Sequence, residues 1–266
     1  RSDQVGESFS LGGCALPDTR QHRGPHPEDA HLFAPSNWHA LQAAVADLSL
    51  LLGRGYAEKG ALKLVGDRYS LTERQRRAVM RAACSDEARA RRLAVEVPPE
   101  ELRDRPILID GYNVLTTVEA ALGEGVILLC RDGTLRDIAS IHGTYRKVAE
   151  TVPALALIGQ TLQRLALAEV AWYLDSPVSN SGRLRKIIEN VARQNHWPWQ
   201  VRLVPSPDRI LVEAQDAVAT GDSAILDRCR RWFNLARQVV AASVPDARII
   251  DLSQPSSADG RRGPKP

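Results

Sequence analysis

Pro106-Ile107-Leu108-Ile109-Asp110-Gly111-Tyr112-Asn113 is the stretch on which the reading of this chain turns. A proline opens it, three aliphatic residues follow without a polar break, and an Asp-Gly pair ends the run. A short continuous apolar run closed by turn residues is the pattern of a strand buried on both faces. Working outward toward the C-terminus, the same logic predicts strands over 126–130, 171–175, 200–204, 217–220 and 248–252. Helical spacing predicts helices over 151–167, 182–195 and 223–242. Strands alternating with helices predict a three-layer α/β domain over 106–252, built on a mainly parallel sheet covered on both faces.

Toward the N-terminus the period changes. Pro98, Pro99 and Pro106 bracket a hinge, and before it lies a helical module over 36–97. Ser36 is a candidate N-cap for a helix carrying Leu41, Val45, Leu48 and Leu52, which Gly53 and Gly55 stop. A second helix is predicted over 71–94, its start marked by Thr72 and Gln75 as a capping box. Residues 1–35 and 253–266 lack hydrophobic period and read as tails, the first as a tail or a draped arm. His22, His26 and His31 sit on that Pro-interrupted segment and are read as solvated side chains, not ligands.

Composition narrows the class. The chain has 266 residues, 44% hydrophobic and 25% charged, with a net charge of +3. That is the profile of a soluble protein, and the mild positive excess is compatible with nucleic acid without nominating it. Its four cysteines form no C-x-x-C pair, so reduced thiols and a cytoplasmic setting are expected. The most apolar stretch, 152–174, is broken by Gln160, Gln163, Arg164 and Glu169, so no membrane span is expected. The N-terminus shows no secretory pattern.

In parallel sheets ligands bind beyond the carboxyl ends of the strands. Asp110 and Asp175 end predicted strands there, Asp222 follows one, and Asp208 follows another through Pro205-Ser206-Pro207. Each alone is most simply a helix cap or a turn residue. Together on neighbouring strands they would converge, and their repulsion would call for a hard cation, Mg²⁺ or Mn²⁺. Such an ion suits hydrolysis of a phosphodiester.

Ile109-Asp110-Gly111-Tyr112-Asn113-Val114-Leu115 resembles the opening motif of the PIN-like nucleases, especially their NYN branch. Leu174-Asp175-Ser176-Pro177 is similar to that family's middle strand-end Asp, and Thr220-Gly221-Asp222-Ser223 to its late T-x-D motif. Asp208 stands where the family places an acidic pair, and this chain has one acid there. The resemblance covers about residues 106 to 252 and implies a three-layer PIN-like (Rossmannoid) fold. It also implies metal ligation by Asp110, Asp175, Asp208 and Asp222, a site-orienting Asn113, and a nucleic-acid substrate, RNA foremost. The chain more closely resembles uncharacterised prokaryotic proteins that combine domains of unknown function 434 and 5616, which carry no activity with them.

Around these aspartates, Ser179, Asn180 and Ser181 open a helix bearing Arg183, Arg185 and Lys186, and are expected to meet substrate phosphate. Arg136 and Arg146 are further phosphate candidates, with His142 nearby, while Asp132, Glu119 and Asp227 are weaker acidic candidates for the cleft. Arg74, Arg77 and Arg81 share a helix face with Arg76 beside them, a possible nucleic-acid arm or a solvated face. Trp197 and Trp199 flank Pro198 and are either base-stacking or packing residues. Two other functions compete. A nucleic-acid-binding adaptor could retain such a scaffold without its chemistry. A haloacid-dehalogenase-type phosphatase would use Asp132-Gly133-Thr134-Leu135, but Cys130 occupies the position of that family's nucleophilic Asp.

Overall fold

The computed structural model describes residues 22–139 and 143–254. Five helices come first: α1 (Asp29–Leu32), α2 (Pro35–Gly53), α3 (Glu58–Arg68), α4 (Glu73–Ala82) and α5 (Asp86–Ala94). After a 3-10 turn (Pro99–Leu102) come β1 (Pro106–Asp110), α6 (Gly111–Leu122), β2 (Ile127–Leu129), β3 (Leu135–Asp137), α7 (Thr151–Arg164) and β4 (Glu169–Asp175). The chain continues through α8 (Ser181–Gln194), β5 (Trp199–Val204), α9 (Pro207–Glu213) and β6 (Ala217–Ala219). It ends with α10 (Ser223–Leu226), β7 (Trp232–Phe233), α11 (Leu235–Ser243) and β8 (Ile249–Asp251).

The main sheet has five strands in the order β5-β4-β1-β6-β7, and every pairing in it is parallel. Alternation along the strands divides the core into two faces. Ile107, Ile109, Trp172 and Leu174 pack with Val114, Leu115, Leu155, Ile158, Leu184 and Val239 from α6, α7, α8 and α11. Ala171, Tyr173 and Val218 pack on the other side with Leu211, Ile225, Leu226 and Trp232. Helices thus cover both faces, which gives the three layers.

Several boundaries differ from the sequence reading. The strands predicted over 126–130 and 248–252 do not join the main sheet. They form β2 and β8 of a separate three-stranded sheet, β3-β2-β8, with β2 antiparallel to β3 and parallel to β8. The reason is packing: Leu128, Cys130, Ile250 and Leu252 share a core with Leu41, Val45 and Leu48 of α2 and with Ala78 and Val79 of α4. The helix predicted over 71–94 is two helices, because Ala83 turns extended at ψ 146° and Ser85 caps a new one, its Oγ accepting from the Ala88 N–H at 3.1 Å. The capping box at Thr72 and Gln75 is formed. The cap of α2 is Ala34 with Pro35 at the first helical position, in place of Ser36.

The helix predicted over 223–242 is interrupted by β7. There Trp232 pairs with the linker, donating its N–H to the Val95 carbonyl and its indole N–H to that of Arg92. Of the predicted N-terminal tail, residues 22–35 form an arm laid on the fold. Leu32 and Phe33 are buried in it, and Asp29 is held by Arg74. Residues 1–21 and 255–266 lie outside the described residues, and with them Cys14. Cys84, Cys130 and Cys229 are buried free thiols. No described helix is long and apolar enough to cross a membrane.

Candidate functional site

The strand order sets the site. Reading across β5, β4, β1 and β6, the carboxyl edge presents Asp208 in the first turn of α9, then Asp175, Asp110 and Asp222. Register places Asp110 beside Tyr173 of β4 and puts Ile109 beside Ala219 of β6, so Asp110 is central. The charges feel one another. Asp222 and Asp208 both act on Asp110, and Asp222 and Asp175 both act on Asp208. The structure therefore brings the four aspartates to one edge. Among the described residues, however, no three His, Cys, Asp or Glu side chains stand close enough to enclose an ion directly.

Local bonding explains why these side chains face the edge. Asp110 precedes α6 but does not cap it; its Oδ2 accepts from Thr220 Oγ1 at 2.7 Å. The same hydroxyl oxygen accepts from the Asp222 N–H at 3.0 Å, which ties the β6–α10 turn to β1. Asn113 reinforces that turn, its Oδ1 accepting from the Gly221 N–H at 2.6 Å. Asn113 is thereby a positioning residue. Asp222 caps α10, and both of its bonds, from the Ala224 and Ile225 N–H groups, fall on Oδ1. Gly111 lets α6 start hard against β4: a Cβ there would lie 2.5 Å from Leu174 Cδ2 and 2.9 Å from the Tyr173 carbonyl. Thr220, Gly111 and Tyr112 were not singled out from the sequence, although all three stand within the quoted motifs.

The electrostatics of this edge are uncompensated. Burial and the charges of Asp222 and Asp208 push Asp110 up to about 7, against the pull of the Thr220 hydroxyl. Burial likewise raises Asp175, and burial with the neighbouring aspartates raises Asp208. Asp175 Oδ1 is buried without a hydrogen-bond partner, and so is the hydroxyl of Tyr112, which lies within the field of Asp175. Buried polar atoms left without partners are costly, and a ligand or water that satisfies them is the usual resolution. An all-carboxylate donor set at an open spacing fits a hard ion that keeps several of its waters, as Mg²⁺ does.

Other acids of the chain are neutralised from within, which overturns several sequence expectations. Asp132 is wholly buried, accepting from Thr134 at 2.6 Å, Arg92 at 2.5 Å and Arg136 at 2.7 Å. Burial alone would raise it, but those partners outweigh burial and hold it at about 2. It lies in the turn between β2 and β3 with its charge already answered by Arg92 and Arg136, so it is not free for the role the phosphatase reading gives it. Arg136 is no substrate ligand: it is buried and spends its donors on Asp132 and on the carbonyls of Gly221 and Arg81. Glu119 is a buried residue of α6, bonded to Arg23, Tyr145 and Thr151. Asp227 pairs with Arg91 and Arg92.

The arginine face of the helical module is also committed. Arg74 pairs with Asp29, Arg76 with Asp67, Arg77 with Glu73 at 3.8 Å, and Arg81 with Asp137 at 3.7 Å. All four are tied into the protein, so this face lacks the unpaired charge that a nucleic-acid arm would present. Trp197 stacks on Trp199 at 4.8 Å and fills the space above Gly159, so this pair packs the core.

The loop before α8 is partly as expected. Ser181 is buried, its hydroxyl donating to the Ser176 carbonyl, and Ser179 pairs with residues 143–145 through its backbone. Asn180 takes φ 69° and donates through Nδ2 to the Tyr145 carbonyl. Arg183 and Lys186 are exposed. His142 lies outside the described residues.

Residues 99–238 match the model of the family described as Domain of unknown function (DUF5616), more than half of the chain. The chain belongs to this family. Residues 40–94 match a second model, described as Protein of unknown function (DUF434). The chain is also similar to the "Uncharacterized protein MJ0935" of Methanocaldococcus jannaschii, 30% identical over 187 residues, covering 70% of this chain and 89% of that one. No solved structure matches it.

Proposed function

We propose that the chain is a divalent-metal-dependent phosphodiester hydrolase, a ribonuclease in its favoured form, acting at the edge defined by Asp110, Asp175, Asp208 and Asp222. One contrast carries this reading. The buried carboxylates Asp29, Asp132 and Glu119 each lie against an arginine, whereas among the described residues the half-buried Asp110, Asp175 and Asp222 and the exposed Asp208 form no ion pair. Four uncompensated carboxylates at one sheet edge are unfavourable unless a cation answers them. Their order along the chain matches the PIN-like motifs, which gives the proposal its reaction class.

Asp110 and Asp175 would hold the ion from β1 and β4, with Asp222 and Asp208 completing the rim. A bound Mg²⁺ or Mn²⁺ would supply positive charge to a phosphodiester and lower the pKa of an attacking water. Thr220 and Asn113 keep the two central loops at fixed separation, so the carboxylates need no reorganisation when substrate arrives.

The test is cleavage of single-stranded RNA by the full chain with Mg²⁺ or Mn²⁺. Chelation is expected to abolish cleavage. Asp110→Asn or Asp222→Asn should lower turnover by orders of magnitude with the fold intact by circular dichroism. Cleavage by Asp110→Asn at the wild-type rate excludes the mechanism. A second reading, a metal-indifferent nucleic-acid adaptor, is favoured by the open spacing of the carboxylates. RNA binding unaffected by chelator, with no cleavage of RNA or DNA, would establish it.

A further inference from the structure

A pocket opens beside the aspartate edge, lined by Tyr145, Arg146, Lys147, Asn180 and Arg183 together with Leu184. It holds cations and no acid, unlike the arginine clusters of the helical module. Lys147 and Arg183 have no carboxylate within ion-pair distance among the described residues. Its walls are built into the fold. The Tyr145 N–H donates to the Ser179 carbonyl and Asn180 Nδ2 to the Tyr145 carbonyl, each at 3.0 Å, so the 143–147 segment and the α8 entry are fixed to one another. Behind them Tyr145 is buried, its hydroxyl donating to Glu119, and Glu119 is paired to Arg23.

One aromatic contact joins this pocket to the aspartates. The Tyr145 ring lies 5.5 Å from that of Tyr112, and Tyr112 is the residue whose unpartnered hydroxyl sits in the field of Asp175. A negative edge that needs a cation and a positive pocket that needs an anion therefore adjoin. A mononucleotide offers one phosphate to such a surface; a strand offers phosphates to both regions.

We propose that this pocket is a phosphate subsite that holds a backbone phosphate of an oligonucleotide whose neighbouring phosphodiester lies at the aspartates. The proposal rests on the hydrolase reading for the direction of the strand, but the subsite itself binds without metal. Lys147 and Arg183 supply the charge, and Asn180 fixes the spacing between the walls that carry them.

The experiment is anisotropy of fluorescein-labelled decauridylate with the full chain in EDTA, where hydrolysis plays no part. Lys147→Ala/Arg183→Ala should weaken binding at least about tenfold. It should also reduce the slope of log K against log salt by about 1.4, since each single-strand phosphate contact contributes ~0.7. Arg185→Ala, which removes a charge paired to Glu189 on the same helix, should stay within twofold. Absence of wild-type binding overturns the proposal, as does a double variant within twofold of wild type. Displacement of decauridylate by uridine monophosphate at equal molar potency also overturns it, making the pocket a small-anion site. Because no readout depends on cleavage, an inactive protein that still loses binding in the double variant would sink the hydrolase reading alone.

Discussion

Asp110 shows what desolvation without a cationic partner does to a carboxyl group. Held near 7 by burial and by Asp222 and Asp208, it keeps its proton in the folded state over a range where the unfolded chain has lost it. The folded state then binds more protons than the unfolded one between the ordinary carboxylate value, about 4, and about 7, so stability falls as pH rises through that window. At ~1.4 kcal/mol per unit the loss is bounded at about 4 kcal/mol. Metal-free protein is therefore expected to melt lower at pH 8 than at pH 5, and Asp110→Asn should flatten the profile by raising the melting temperature at pH 8. Denaturant midpoints of the two proteins at both pH values measure this; parallel profiles would show that Asp110 ionises normally. Competition between proton and cation gives the companion expectation that Mn²⁺ affinity climbs up to about pH 7 and then levels off. At this scale the sequence was readable where position alone matters. Asp110, Asp175 and Asp222 follow from the rule that strand ends carry ligands. The roles of Glu119 and Asp227 were not readable, because their partners come from remote segments: Arg92 reaches Asp227 across 135 residues and Arg23 reaches Glu119 across 96. Arg136 and Asp132 pair four residues apart, but the contacts that complete their bonding, to Arg92, Arg81 and Gly221, also come from afar. A charge in a sequence does not announce whether it is already answered.

The elements that escaped the sequence reading did so for identifiable reasons. Helix α6 follows the central strand directly, yet every residue from Val114 to Ala121 is buried, so no polar face alternates with an apolar one and the helical period vanishes. Its Thr116 and Thr117 hydroxyls donate back to the Tyr112 and Asn113 carbonyls, which makes two poor helix formers tolerable there. The opposite error befell 223–242, where helical spacing runs on through Trp232 although the Arg92 carbonyl and the linker draw that residue into a strand. Helix α6 also locates the glycine the site depends on. Gly111→Ala would set a methyl group 2.9 Å from the backbone carbonyl of Tyr173, which cannot swing aside as the Leu174 side chain can. The start of α6 must then move away from β4, and overpacking of this kind costs about 1 to 3 kcal/mol. We expect a melting temperature lowered by several degrees together with weakened Mn²⁺ binding, since Asp110 and Asn113 flank the displaced turn. Unchanged stability and metal affinity would show that the β1–α6 junction has slack. Gly182, beside which nothing lies within 4 Å, is the matched control.

Across the whole molecule, the boundaries suggested by sequence are not the boundaries of the core. Two family matches, 40–94 and 99–238, meet just before the Pro-rich hinge, but the apolar cluster of the helical module takes in Val126, Leu128, Cys130 and Ile138 from the α/β part and Ile250 and Leu252 from the end of the chain. Strand β8, beyond both matches, completes the small sheet by pairing with β2. Charge crosses the same junction: Arg92 of α5 neutralises Asp132 and Asp227, and Arg131 reaches back to Asp86. Each apolar side chain returned to water costs on the order of 1.5 kcal/mol or more, and six of them approach the whole stability of a typical domain. Loss of Arg92 leaves the wholly buried Asp132 with one guanidinium fewer, and breaking a buried pair from one side is severely destabilising. A fragment spanning residues 99–254 is therefore expected to lack a cooperative thermal transition and to bind a hydrophobic dye, although it holds all four aspartates and the entire main sheet. The full chain should unfold in one step, with circular dichroism and tryptophan fluorescence tracing the same curve. A fragment that melts cooperatively, or a full chain with two resolved transitions, would make the helical module a separate domain.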